Sequence, residues 1–210
     1  MRKSFYMLVV AGLFTASSAI AEDGPPRLMA ADLGPAAWNV ISGGIAVFDV
    51  SLDEKGAITS ADIVQDAPPY GAMLKDALPS WRFEAAASEG RGVPSRVLVL
   101  GFFRPPVLNF AAPEAPRYKD TTAPEELPWP TSVVSPPYPA NVVIGGARVV
   151  MAADISDRGA VLTVRVVGPS SPFDPVAAAA LRQWKFRAAT RGNRTVASRA
   201  FIVFSFAPPA

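Results

Sequence analysis

Hydrophobic residues near the end of the given sequence are spaced as in a β-strand. Between positions 198 and 206 they recur at every second position, at Ala200, Ile202, Phe204 and Phe206. This period of two places their side chains on one face of a β-strand. Two earlier segments, 147–155 and 161–167, are rich in β-branched residues and also suit strands. Gly159 lies between them and can supply the positive φ of a tight turn.

A helix is predicted between the second and the last of these strands. Prolines at 169 and 172 break the preceding strand, and Asp174 is expected to cap the helix, with Pro175 in its first position. An alanine-rich run then continues to about Trp184. The predicted order is strand, turn, strand, helix, strand, in which one helix covers one face of a small antiparallel sheet.

The same pattern occurs earlier in the chain, 103 residues upstream. Residues 81–86 (WRFEAA) fall on residues 184–189 (WKFRAA), and Gly56 falls on Gly159. Self-similarity at a fixed offset is typical of a duplicated structural unit. In the first copy it predicts strands at 44–52, 58–64 and 96–103, with a helix near 70–78. The predicted fold class is therefore α+β, as two tandem modules that each have their own short antiparallel sheet and one helix.

The predicted division of the chain has four parts. They are a signal peptide (1–21), a degenerate first module (28–103), a proline-rich linker (104–135) and a second module (136–207). The linker contains seven prolines, which favour an extended and semi-rigid spacer. Its short apolar patches at 107–110 and 127–129 could pack back on a module.

The first residues have the layout of a secretory signal peptide. Arg2 and Lys3 precede an apolar stretch from 5 to 14, and an A-x-A site ends at Ala21. A helix over residues 5–20 would be about 24 Å long, whereas a hydrocarbon core needs about 30 Å. We therefore expect cleavage before Glu22, export to the periplasm and no stable membrane span afterwards. Retention of this segment as an anchor is the alternative.

Charge is distributed unevenly between the two modules. The chain has a net charge of +2, and Arg2 and Lys3 account for it, so the mature chain is neutral and no nucleic-acid partner is expected. Residues 28–103 hold 5 basic and 9 acidic side chains, whereas residues 136–210 hold 9 basic and 3 acidic ones. Either the two halves face each other, or the second half meets an acidic partner.

The residue types that are missing narrow the choice of function. The chain has no cysteine and no histidine. It therefore has no disulfides, no His/Cys zinc site and no Ser-His-Asp or Cys-His catalytic arrangement. The carboxylates at Asp49, Asp53 and Glu54 run along a strand into a turn, where solvated charge is ordinary. We predict a non-enzyme with no catalytic residues, no cofactor and no metal.

Several residues of the second module carry a family resemblance. In chain order they are Tyr138-Pro139, Gly145-Gly146, Gly159, Ser170-Ser171, Asp174 with the alanine run, Trp184-Lys185-Phe186, residues 192–196 and Phe206. With them, residues 136–207 resemble the TonB C-terminal domain family. The first module matches less well, because Trp38 stands near the place of the Tyr-Pro element. The second module also departs from the family, which often has Phe-x-Pro where this chain has Phe186-Arg187-Ala188.

The resemblance implies a protein-binding function. TonB proteins pair with an extended segment of outer-membrane receptors by adding a strand to the edge of the small sheet. Carried over to this chain, the implied surface is Tyr138-Pro139 and the last strand, Arg199 to Ser205. The expected partner is a protein of the cell envelope, and an outer-membrane TonB-dependent receptor is one candidate. The predicted partner-binding residues are Tyr138, Pro139, Arg199, Phe201, Val203, Ser205, Arg191 and Arg194.

Two other functions stay open from the sequence. The modules could pair with each other and act as an envelope scaffold, in contact with peptidoglycan and without receptor docking. The chain could instead be a true TonB energy transducer if its N-terminal segment is an uncleaved anchor. Tyr138-Pro139 could also simply fix the path of the chain into the first strand of the module, since proline holds φ near −65°.

Overall fold

The computed structural model describes residues 23–34, 43–104, 124–139 and 146–207. The predicted signal peptide and residues 105–123 of the predicted linker lie outside these ranges. Of the described residues, 53% are in strands and 12% are helical, so the fold is mostly β. The prediction of two small α+β modules is wrong in this respect, and the reason lies in how the strands assemble.

The first module contributes seven strands and one α-helix. Its strands are β1 (Arg27–Ala30), β2 (Gly44–Leu52), β3 (Ile58–Gln65), β4 (Arg82–Glu84), β5 (Ala86–Ser88), β6 (Arg91–Val93) and β7 (Ser95–Arg104). Helix α1 (Tyr70–Ala77) lies between β3 and β4 and continues into a 3-10 turn at Leu78–Ser80. Pro79 lies in that turn, and the chain leaves the helix there.

The second module repeats these elements in the same order. Its strands are β8 (Trp129–Ser132), β9 (Ala147–Ile155), β10 (Val161–Val167), β11 (Lys185–Arg187), β12 (Ala189–Arg191), β13 (Arg194–Val196) and β14 (Ser198–Phe206). Helix α2 spans Asp174–Leu181. Asp174 is its first residue, and its carboxylate accepts a hydrogen bond from the Ser171 N–H at 2.8 Å. Each strand of the first module therefore has a counterpart seven strands later.

The two modules share one sheet. Its six strands follow the order β10-β9-β14-β7-β2-β3, so the last strands of the two modules are neighbours at its centre. These two strands pair in parallel, with Ala200 opposite Leu98 and Phe206 opposite Arg104. All other pairs in this sheet are antiparallel. Two separate antiparallel sheets were predicted, and the parallel β7–β14 pair replaces them with one mixed sheet.

Each helix covers a different face of this sheet. The strand order of one module mirrors that of the other about the central pair, and the two central strands are parallel. The modules are therefore related by an approximate twofold axis along the strands. This rotation places equivalent faces of the two modules on opposite sides of the sheet. The α2 face is buried under α2 and Trp184, and the α1 face is buried under α1 and Trp81. The sheet therefore has a helix on both sides, although each module supplies only one.

Each core contains side chains from both modules. On the α2 face, Trp184 packs with Phe102 of the first module and with Phe204 of its own module, at ring-centroid distances of 5.7 and 5.6 Å. On the α1 face, Phe83 meets Phe201 of the second module edge-on at 5.3 Å. All five side chains are buried. Burial of apolar area across the module boundary is the main stabilising contribution at this junction.

A short segment lies before the long strands of each module and is called its arm: residues 23–34 in the first module and residues 124–139 in the second. Each arm packs over the sheet. Strand β1 pairs with β4, and β8 pairs with β11 in the equivalent register. The indole N–H of Trp81 donates to the Asp32 carbonyl at 3.0 Å, and that of Trp184 donates to the Val134 carbonyl at 2.9 Å. Part of the predicted linker is therefore an integral element of the second module, and Leu127 in it is fully buried.

The hairpin turns between the second and third strands of each module need glycine. Gly56 and Gly159 have φ values of +82° and +79°, which side chains rarely tolerate. A Cβ at Gly159 would also lie 1.7 Å from the Phe186 carbonyl oxygen. The backbone of this turn thus lies directly against β11, and the Phe186 N–H donates to the Gly159 carbonyl at 2.9 Å.

Candidate binding surfaces

The last strand, β14, lies in the centre of the sheet. It pairs with β9 along its whole length on one side and with β7 on the other. Phe201 and Val203 are buried on the α1 face, and Ser205 is half-buried beside a small apolar cavity. The prediction of an exposed, pairable edge at Arg199 to Ser205 is therefore wrong, because strand addition needs unpaired backbone groups along one side of a strand.

Arg199 is occupied by contacts within the chain. Its Nε donates to the Asp154 carboxylate at 2.6 Å, and its Nη1 donates to the carbonyls of Pro25 and Pro26 at 3.4 and 3.1 Å. Only 10% of its side chain is exposed. This arginine ties the first arm to the second module. Arg96, its equivalent, contacts Asp49 and Glu126 and ties the second arm to the first module.

Asp154 is the acidic centre of the Arg199 contact. Burial would raise the pKa of its carboxyl, but hydrogen bonds from Arg199 and Thr163 and the charges of Arg199 and Arg165 outweigh it, so the pKa is lowered. A carboxyl whose pKa is lowered by folding stabilises the fold above its unfolded pKa. That contribution is lost as the pH falls through the folded pKa.

Asp154→Asn is expected to lower the free energy of unfolding at neutral pH by about 1–3 kcal/mol, since a charge-assisted hydrogen bond is lost. Because the asparagine does not titrate, the variant should also lose part of the destabilisation that is expected as the pH falls below the unfolded pKa of an aspartate and through the lowered folded pKa of Asp154. Urea unfolding at several pH values measures both effects. An Arg199→Gln variant should flatten the same pH profile, and a wild-type slope in both variants would contradict this assignment.

Tyr138 and Pro139 pack on the core of the second module. The Tyr138 ring meets Phe173 edge-on at a centroid distance of 5.3 Å, and Pro139 is buried. Tyr138 is half-buried against the α2-face core. The structure therefore places this pair on the α2-face core beside Phe173, away from Arg191 and Arg194.

Arg191 and Arg194 lie at the tip of the β12–β13 hairpin, and both are exposed. Arg187, one of the clustered arginines of this module, instead points inward and donates to the carbonyls of Pro124 and Leu127. The predicted partner-binding residues therefore fall into three separate places: the sheet centre, the arm and this hairpin. They do not form one continuous surface.

The β12–β13 hairpin borders an open cleft. This cleft has a volume of about 930 Å³ and lies at the end of the sheet where β7 and β14 begin. It is located between two small hairpins, β5–β6 of the first module and β12–β13 of the second. Equivalent residues of both modules line it, including Ser95 and Ser198, whose hydroxyls have no hydrogen-bond partner among the described residues. Its walls combine small residues with both signs of charge, and none of the lining residues is aromatic.

The free edges of the sheet belong to β3 and β10. Each of these strands pairs with one neighbour in the described part of the chain. Three of the exposed large hydrophobic side chains lie on these two strands: Leu162, which is 64% exposed, Val166 and Ile63. The fourth, Met29, lies on β1 beside β10. Exposed apolar side chains are thus concentrated at the outer strands, and mainly at β10.

A groove lies over the α1 face of the sheet, between β1 and β10. It has a volume of about 270 Å³ and is lined by residues of β1 and β10, with Arg199 and Phe201 of β14. Arg27 and Arg165, which line it, are 66% and 53% exposed, and they contact Glu84 and Asp154, respectively. β10 was not predicted to be an edge strand. The one signal available was the interruption of its apolar run by Thr163 and Arg165.

Comparison with known proteins adds no further constraint on this surface. A scan against protein-family models and a search of curated proteins both find no match for this chain. The resemblance to the TonB C-terminal domain family therefore stays a prediction from the residues that carry it. Within the described ranges, neither helix is long or apolar enough to cross a membrane.

Proposed function

We propose that this protein binds an extended segment of another cell-envelope protein, by addition of that segment as a strand to the outer edge of β10. The observation that carries the proposal is this free edge, with Leu162 and Val166 exposed along it. A strand edge supplies main-chain hydrogen bonds for affinity, and neighbouring side chains supply selectivity. The envelope location rests on the signal-peptide pattern, and the choice of partner rests on the TonB resemblance.

The groove between β1 and β10 supports the same edge. Met29 and Val166 offer apolar contacts to an added strand, and Gly168, with φ of +100°, ends β10 without a side chain. Arg27 and Arg165 offer two guanidinium groups that are more than half exposed. The segment that fits best is therefore extended, with alternating apolar and acidic side chains. An acidic partner for the basic second module is also one of the two outcomes that the charge distribution predicts.

Amide NMR of the chain from Glu22 onward tests this proposal. The probe is a synthetic peptide of about ten residues with alternating valine and glutamate, and N-terminal segments of outer-membrane receptors form a second set. We expect saturable shifts at residues 161–167 and 27–29 and none along β3. Shifts confined to the cleft between the two small hairpins would contradict the proposal.

N-methylated peptides separate strand addition from contact through side chains alone. Alternate amides of an added strand point toward the sheet edge, and the others point away from it. Two versions of the probe are therefore methylated on the two alternate sets of amides. Strand addition predicts that one version loses binding while the other keeps it. Equal binding by both would show that β10 contributes no main-chain pairing.

A further inference from the structure

We propose that the two outer edges of the sheet recognise each other between molecules, so that β3 of one molecule pairs with β10 of the next and the protein associates head to tail. This goes beyond the proposed function, because the occupant of the edge is a second molecule of the same chain. The proposal rests on the charges and faces of the two edge strands.

The edge strands carry opposite charges at equivalent positions. Asp62 of β3 and Arg165 of β10 are 103 residues apart, the offset of the internal repeat. Both are exposed. Like charges that lie opposite each other destabilise a strand pair, and opposite charges stabilise it. Pairing of β3 with β3, or of β10 with β10, therefore opposes like charges, whereas pairing of β3 with β10 opposes Asp62 and Arg165.

The two residues also point to the same side when the strands pair antiparallel. Asp62 lies opposite Asp49 and so on the α2 face, whereas Arg165 lies opposite Ala152 and so on the α1 face. To bring β10 antiparallel to β3, the second molecule turns by half a revolution about an axis in the sheet and across the strands. This turn exchanges its faces, so its Arg165 falls on the side of Asp62.

The regular parts of the two strands match in the same register. In β3, register irregularities leave Ser60 to Ile63 regularly paired, and β10 is regular from Thr163 to Val167. When Asp62 faces Arg165 of the neighbouring molecule, Ile63 faces Val164 and Ala61 faces Val166. Ile63 and Val166 are 39% and 40% exposed in the single molecule, and each gains an apolar neighbour in this arrangement.

The charge asymmetry of the modules remains available for this contact. The junction inside the molecule is formed by apolar strands β7 and β14, and its cross-module contacts from Arg96 and Arg199 go to the two arms. The outer edges therefore keep Asp62 and Arg165 exposed, and Arg165 also contacts Asp154 of its own module at 3.1 Å. A contact between two different surfaces of one chain is heterologous, and it extends into an open chain unless its rotation closes a ring.

Sedimentation velocity of the mature chain, from Glu22 onward, tests this association over a wide range of protein concentrations. We expect the sedimentation coefficient to rise beyond that of a dimer at low ionic strength, and to fall when salt screens the charges. Asp62→Arg alone and Arg165→Glu alone should each weaken association roughly tenfold, since attraction is replaced by repulsion. A chain that stays monomeric, or stops at a dimer, would overturn the proposal.

An equimolar mixture of the two single variants provides the decisive control. One variant then has two basic edges and the other two acidic ones, so the mixture should regain the association that each lacks alone. A variant that failed to fold could not be rescued in this way. If the mixture stays monomeric, the edges do not recognise each other. Peptide binding by Asp62→Arg, whose β10 is intact, tests the proposed function separately.

Discussion

A fragment of residues 124–207, the second module with its arm, is expected not to form a folded monomer. Without the first module, β14 would lose β7 along one whole side, and Trp184 would lose Phe102 from its core. The exposed strand would have a free edge with apolar residues on both faces, which favours aggregation or pairing with a second fragment. Circular dichroism on heating and sedimentation velocity together measure this outcome.

Adding the complementary fragment, residues 23–104, should restore the fold. The two fragments together contain every strand of the six-stranded sheet, so an equimolar mixture should give one cooperative transition and one sedimenting species. The matched control is the second fragment mixed with an unrelated soluble protein at equal concentration. A fragment that unfolds cooperatively as a monomer by itself would contradict the shared sheet.

Phe102→Ala is expected to lower the free energy of unfolding by about 3–5 kcal/mol. Phe102 belongs to the first module by sequence, but it is fully buried on the α2 face, where its ring lies 5.6 Å from Phe204 and 5.7 Å from Trp184. Its loss leaves a cavity in the core of the second module. Urea unfolding followed by tryptophan fluorescence measures the change.

The pattern of transitions in this variant distinguishes a shared sheet from independent modules. In a shared sheet, the variant unfolds in one transition at a lower urea concentration, and both modules unfold together. In independent modules, a first-module substitution would leave a second transition at its original midpoint. Leu162→Ala is the control, since a side chain that is 64% exposed should change stability by less than about 0.5 kcal/mol.

The six long strands and both α-helices could be predicted from the sequence, because local patterns decide them, whereas the eight short strands of the described residues were not predicted. The strands at 44–52, 147–155 and 161–167 begin and end where they were predicted. Helix α2 is shorter than predicted, since it ends at Leu181 and the chain reaches Trp184 through a tighter turn. The duplication also holds in the structure, as seven strands and one α-helix in the same order in each module.

The assembly of the strands was mispredicted because the prediction considered the apolar residues of only one face of β14. Ala200, Ile202, Phe204 and Phe206 lie on the α2 face, as the period of two predicts. The intervening residues Phe201 and Val203 are also apolar and are buried on the opposite face. A nearly continuous apolar run is typical of a strand that is covered on both sides. Considered on both faces, this apolar run predicts a central strand.

The position of the outer strands depends on a contact between modules, which no pattern within one module encodes. Considered alone, a module of three large strands has the last strand at one edge and the second strand at the other. The pairing of β7 with β14 decides that β3 and β10 are the outermost strands of the sheet among the described residues. The arms were also beyond local patterns, because Trp129 and Leu127 lie in a proline-rich segment whose burial depends on β11 and the core.

The central parallel pair has a consequence for how the chain reaches its native state. Leu98 and Ala200 are paired although they lie 102 positions apart in the sequence. Contacts of high sequence separation are costly in loop-closure entropy and are associated with slow folding. Because synthesis proceeds from the N-terminus, β7 is made before its partner and remains unpaired on that side until β14 has been made. A factor that holds the incomplete chain extended until then would protect it from aggregation.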